Sequence, residues 1–124
     1  MKSFLKIGKY ILRLTSICLV SLIPKNKSIW VFGAWFGKSF SDNPKYMYQY
    51  VDSLDGDITP IWIAKDKKLV EELQTKKVNV FYHRSIKGIY YQVIAKVAFV
   101  GHSISSDLNP SLIGFNTIRV QLWH

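Results

Sequence analysis

From residue 28 onward the chain alternates short apolar runs with stretches of helical period, and that alternation leaves few folds open. The runs are "SIWVFG" (28–33), "TPIWIAK" (59–65), "VNVFYH" (78–83), "AFVGHS" (98–103) and "TIRVQLWH" (117–124). They are rich in β-branched and aromatic residues and bounded by Gly, Pro or polar clusters, as strands are. Between them, 42–54, 67–77 and 85–97 carry apolar residues at helical spacing. In the first helix Asn43 suits the N-cap and Pro44 the first helical position, with Tyr46, Tyr50, Val51 and Leu54 as the inward stripe. In the second, Leu69, Val70 and Leu73 point inward; in the third, Gly88 is an unfavourable helix residue. Residues 104–116 read as a long loop, and no stretch repeats another.

Strands alternating with helices imply βαβ crossovers and a parallel sheet, and continuous apolar runs fit strands covered on both faces. The expectation is a Rossmann-like α/β domain over 28–124, with its last strand in or near the middle of the sheet. Such sheets bind ligands outside the carboxyl ends of their strands. Gly33, Lys65, His83, His102 and His124 all fall at or just past predicted strand ends, and these include every histidine of the chain.

The net charge of +9 is concentrated at the start. Residues 1–27 hold six basic side chains and no acid, whereas the remainder holds 11 basic and 8 acidic. A nucleic-acid-binding protein would spread its basic face over the folded body, so no nucleic-acid partner is expected. The single Cys18 forms no intrachain disulfide, and no Cys/His cluster has metal-ligand spacing. No GxGxxG, P-loop or Ser-His-Asp pattern is present, and neither a metal nor a cofactor is expected.

Residues 1–27 read as a basic amphipathic helix. Lys2, Lys6, Lys9 and Arg13 share one face, Phe4, Leu5, Ile7, Ile11, Leu12 and Leu14 fill the rest, and Pro24 ends the run. The uncharged stretch after Arg13 is about half of the ~20 residues that cross a bilayer. "SLIPK" supplies no signal-peptide cleavage site. The fitting description is a helix lying in an anionic membrane interface, peripheral on the cytoplasmic face. A helix packed on the domain, or a short signal anchor, are the other readings.

Individual residues carry both plain and functional readings. His124 can serve as a general base, its ordinary pKa lying near ~6.5, or it is a terminal loop residue. His102 follows a Gly that admits close approach of a ligand, or it is satisfied by its loop. Asp42 and Asn43 cap their helix, or offer its N-terminus to a phosphate, although an adjacent Asp opposes an anion there. Trp30, Trp35, Tyr46, Tyr48 and Tyr50 read as core rather than as a sugar-stacking platform.

Three stretches together, "IWVFGAWFGKSFSDNPKYMYQYV" (29–51), "ITPIWIAKD" (58–66) and "VQLWH" (120–124), resemble the CDP-glycerol glycerophosphotransferase family, which primes and polymerises teichoic acids. The likeness covers residues 25–124. It implies the N-terminal half of an enzyme with two Rossmann-like domains, the GT-B architecture, in which the N-terminal half is associated with the acceptor polymer and the other half binds the CDP moiety. It further implies that His124 takes the proton of the acceptor hydroxyl, which attacks the β-phosphate of CDP-glycerol and releases CMP. The family's Trp-His strand runs on into Gly, with Pro and Lys soon after. The chain therefore reads as the front part of a longer enzyme, cut after His124 and inactive alone. Its partners on this reading are CDP-glycerol, a polyol-phosphate acceptor polymer and the anionic membrane surface. A non-catalytic module that binds membrane or anionic polymer, and part of a capsule polysaccharide transferase, are the alternatives.

Overall fold

A computed structural model of the protein describes residues 2–54 and 56–122. Its first element is helix α1, Lys2–Ser21, which buries only Val20. The last turn of α1 is fastened to the body: Ser16 Oγ donates to the Ser111 carbonyl at 2.7 Å, and Phe115 N–H donates to Ser21 Oγ at 2.7 Å. Lys25 Nζ donates to the carbonyls of Val20 and Val93, joining the end of α1 to the helix over Ile86–Ile94.

The body runs β1 Asn26–Gly33, α2 Asp42–Ser53, β2 Thr59–Ala64, α3 Lys67–Thr75, β3 Val80–Tyr82, α4 Ile86–Ile94, β4 Ala95–Val100, α5 Ile104–Asp107 and β5 Ile118–Gln121. The five strands form one sheet in the order β3-β2-β1-β4-β5, and every pair is parallel. The fold is thus the expected Rossmann-like α/β architecture. Chain order reverses between β1 and β4, the switch point at which open α/β sheets place ligands.

Alternate strand residues feed two cores. On one face Phe32, Trp62, Ala64, Val80 and Phe99 meet Tyr48 and Val51 of α2 and Leu69 and Leu73 of α3. Phe32 stacks on Phe99 with ring centroids 4.7 Å apart. On the other face Val31, Ile61, Ile63, Ala98 and Val100 pack under Leu108 and Ile113, with Tyr91 and Ile94 of α4 alongside. Local signals agree with this packing. Asp66 caps α3 by accepting from Lys68 N–H, and Ser85 caps α4 by accepting from Gly88 N–H. Gly88 is buried in the first turn of α4, where a Cβ would collide with the Tyr82 carbonyl oxygen. The residue that weakened the helical pattern is what lets α4 close onto β3.

Several expectations are corrected. Residues 95–97 continue the helical stripe of α4, yet they are strand, because Val97 pairs with both Trp30 and Ile118 and the two ladders outweigh the local period. The inward face of α2 is Pro44, Tyr48 and Val51, leaving Tyr46, Tyr50 and Leu54 exposed. Trp35 is also exposed, so it belongs with Tyr46 and Tyr50 outside the core. Helix α2 begins at Asp42, with Ser41 at the N-cap making no side-chain cap bond, so Asn43 lies inside the first turn rather than capping it. Residues 104–116 are not plain loop: Ser103 and Ser106 form a capping box for α5, and Asn109 caps a 3-10 turn over Pro110–Leu112. Finally, β5 pairs only with β4 and stands at the edge of the described sheet, not in its middle. Among the described residues no helix is long and apolar enough to cross a membrane.

Candidate functional site

At the switch point the chain leaves β1 through a left-handed turn. Trp35, Phe36 and Gly37 have φ of 48°, 57° and 76°, a conformation that costs non-glycine residues free energy and clusters at functional positions. What holds it is Asp107, fully buried at the end of α5. One carboxylate oxygen accepts from Phe36 N–H at 2.9 Å, and the other accepts from Gly101 N–H at 3.0 Å and His102 N–H at 2.8 Å. The same carboxylate therefore ends β4 and shapes the turn after β1. His102, whose Nδ1 lies 3.8 Å from Asp107, sits against Phe36 and Trp35 with ring centroids 4.9 and 5.3 Å away. Trp35 is 42% and Phe36 50% exposed, so a His–aromatic cluster faces outward at the switch point.

The strand-end lysine joins this cluster to the next loop. Lys65 N–H donates to the Gly37 carbonyl at 2.7 Å, and Lys65 Nζ donates to the Ser105 carbonyl at 3.2 Å. A crevice of about 280 Å³ opens here, lined by Arg13 of α1, Lys65, His83, Arg84, Asn109 and Ser111, among others. Burial pushes the Lys65 ammonium below the ordinary lysine range; Asp107 opposes that shift and Arg84 adds to it. Burial likewise lowers the His83 pKa from its ordinary value, with Lys65 and Arg84 acting the same way, so the site favours the neutral ring. His83 Nδ1 is buried and has no hydrogen-bond partner among the described residues.

The sequence-predicted site residues separate into groups. His102 lies at the switch point. Asn43 lines a second, mostly apolar groove of about 400 Å³ with Tyr46, Met47, Tyr50, Gln121 and Leu122, beside the end of β5. Asp42, with φ of 60°, begins α2 next to it. Lys6, Lys9 and Arg13 line one shallow cleft along α1, and Lys2 lies exposed at the start of the same helix. His124 lies outside the described residues. Asp107, Phe36, Arg84, Asn109 and Ser111 were not singled out from sequence. The Ser-x-x-Ser cap at 103–106 and the Asn-Pro-Ser turn at 109–111 are the signals that mark their loop as built. Among the described residues no group of His, Cys, Asp and Glu could hold a metal ion.

Residues 16–124 match the family CDP-glycerol:poly(glycerophosphate) glycerophosphotransferase. A similar protein is the teichoic acid poly(glycerol phosphate) polymerase of Bacillus spizizenii, 28% identical over 129 residues. That alignment takes in 99% of this chain and 31% of the relative, so the chain spans about a third of the relative's length. No solved structure matches the chain. With the match running across the whole sheet and both site loops, the chain belongs to the CDP-glycerol:poly(glycerophosphate) glycerophosphotransferase family.

Proposed function

We infer that this chain is the acceptor-side part of a GT-B glycerophosphotransferase that passes glycerol phosphate, or ribitol phosphate, from a CDP-alditol to a teichoic acid or related cell-wall polymer. The observation that carries the reading is the family match through residue 124 on a parallel sheet whose strand ends share one edge. β5 runs parallel to β4, and Leu122 N–H donates to the Val100 carbonyl at 2.8 Å, so the chain leaves β5 on the His102 edge. In this reading His124 takes the proton from the acceptor hydroxyl, the oxygen forms a bond to the β-phosphorus of CDP-glycerol, and the bond to CMP breaks. A nucleotide-binding half outside these 124 residues supplies the donor site, so the chain alone does not turn over.

Helix α1 supports attachment to the cytoplasmic face of the cell membrane without spanning it. Phe4, Leu5 and Leu12 are 79%, 68% and 70% exposed, a large apolar surface for a water-facing helix, and Lys2, Lys6, Lys9 and Arg13 flank it.

The test is a chimera in which the nucleotide-binding part of the B. spizizenii relative follows His124. Transfer from CDP-glycerol is expected from the chimera and not from the 124-residue chain. His124→Ala should lower the chimera's rate by about 10²–10⁴-fold with vesicle binding unchanged. An active chimera indifferent to His124→Ala removes the base from the mechanism. A folded chimera that never transfers favours a non-catalytic module.

A further inference from the structure

We propose that the crevice between α1 and the ends of β2 and β3 is a phosphate-binding site, taking one phosphodiester anion of the polyol-phosphate acceptor. Four basic side chains from three separate elements converge on it: Arg13 from α1, Lys65 after β2, and His83 with Arg84 after β3. Asn109 and Ser111 add neutral polar groups to the lining, and among the described residues no carboxylate lines the crevice. Asp107, fully buried with its oxygens accepting from three backbone N–H groups, does act on Lys65, but its one negative charge is outnumbered by the Arg13, Lys65 and Arg84 cations.

Cations gathered in this way raise one another's cost until an anion enters. Lys65 and Arg84 already oppose each other and both oppose protonation of His83. Donors are to hand. An ammonium has three, of which Lys65 directs one to the Ser105 carbonyl. The Arg84 guanidinium, on an exposed residue, offers the planar fork that suits two phosphate oxygens. The crevice adjoins the turn that carries Trp35 and Phe36, because Lys65 is bonded to both Gly37 and Ser105. A polymer phosphate held there leaves its neighbouring polyol unit beside the switch point.

The assignment of the anion to the acceptor rests on the function proposed above; the anion site itself does not. Inorganic phosphate and sn-glycerol 3-phosphate are titrated into the ¹⁵N-labelled full chain. Saturable shifts are expected at the amides of Lys65, His83, Arg84 and Ser111. Arg84→Gln and Arg13→Gln, both at exposed positions, should weaken binding about tenfold each, whereas Lys27→Gln at the opposite end of β1 should not. No saturable shift at these residues, or equal loss in the Lys27→Gln control, overturns the site. Arg84→Gln is then bound to phosphatidylglycerol vesicles, since a lipid headgroup carries the same phosphodiester. Vesicle binding that Arg84→Gln leaves unchanged supports the polymer as source. A loss parallel to that for soluble phosphate overturns the acceptor assignment in favour of the headgroup.

Discussion

The backbone N–H of Phe36 donates to the carboxylate of Asp107 at 2.9 Å, tying the turn after β1 to the connection after β4 across the switch point. The two residues are 71 positions apart, and neither is in a sequence motif that announces the other. Through this bond one buried acid sets where Trp35, Phe36 and His102 stand.

Asp107→Asn is expected to destabilise the chain and loosen that cluster. An amide offers one acceptor oxygen where the carboxylate serves three N–H donors from two sides, so at least one buried donor is left unpaired. That costs about 1–3 kcal/mol. Urea unfolding should show the loss, and Trp35, packed on His102, should become more accessible to a fluorescence quencher. An unchanged midpoint would show that the bonds to Asp107 are replaceable.

Gly37→Ala probes the same turn from its other end. Gly37 has φ of 76°, and a Cβ there would collide with the Lys65 side chain and lie 2.8 Å from its backbone nitrogen. An L-residue in this region costs about 1–2 kcal/mol before the clash is counted. Gly56→Ala, which meets nothing within 4 Å, is the control and should stay within about 0.5 kcal/mol of the parent. Equal midpoints for the two variants would mean the turn relaxes freely.

Much of the fold was legible because the strand runs and helical stripes carry their own periods, and the structure adds side-chain caps at Asp66 before α3 and Ser85 before α4. What escaped depended on distance. Val97 reads as helix until Trp30 and Ile118 are placed on either side of it. Tyr46 and Tyr50 fit an inward stripe as well as Tyr48 does. Only the approach of Phe32, Phe40 and Trp62 to the Tyr48 ring, and the bond from Asn79 N–H to its hydroxyl, decide which tyrosine is buried. In the site, His102 was visible as a strand-end histidine. Asp107 and the meeting of Arg13 with Lys65 and Arg84 were not, since they come from loops whose convergence only the tertiary structure fixes.

His83 gives the crevice a pH signature. Its folded pKa is depressed, first by burial and then by Lys65 and Arg84, so the unfolded chain takes up this proton at higher pH than the folded one. The stability it contributes is complete above the unfolded value near ~6.5 and is lost as pH falls from there through the folded pKa. The groups facing it are Lys65 from the end of β2, Arg84 beside it, Arg13 from α1, and the neutral Ser105, Asn109 and Ser111. The fall in unfolding free energy between pH 7.5 and 5.5 should be smaller for His83→Asn than for the parent, with the other histidines common to both. In the folded chain, Arg84→Gln should raise the His83 titration midpoint read by NMR. A midpoint at or above 6.5 in the parent would contradict the crowding of cations described here.

The membrane attachment proposed for α1 separates into two measurable parts. Lys2, Lys6, Lys9 and Arg13 supply the electrostatic part, about 1 kcal/mol for each basic side chain near an anionic surface, and salt screens it. Phe4, Leu5, Ile7, Ile11 and Leu12 supply the apolar part, since all are more than half exposed on the folded chain. Binding of the full chain to phosphatidylglycerol vesicles should therefore fall steeply between low and high salt. Lys6→Glu with Lys9→Glu should remove most of the low-salt binding. Phe4→Ser with Leu12→Ser should remove what persists at high salt. None of these changes should shift the unfolding midpoint, because the bonds and the buried residue that fasten α1 to the body begin at Ser16. Equal binding to neutral vesicles at high salt, insensitive to both pairs of substitutions, would show that α1 is not the attachment surface.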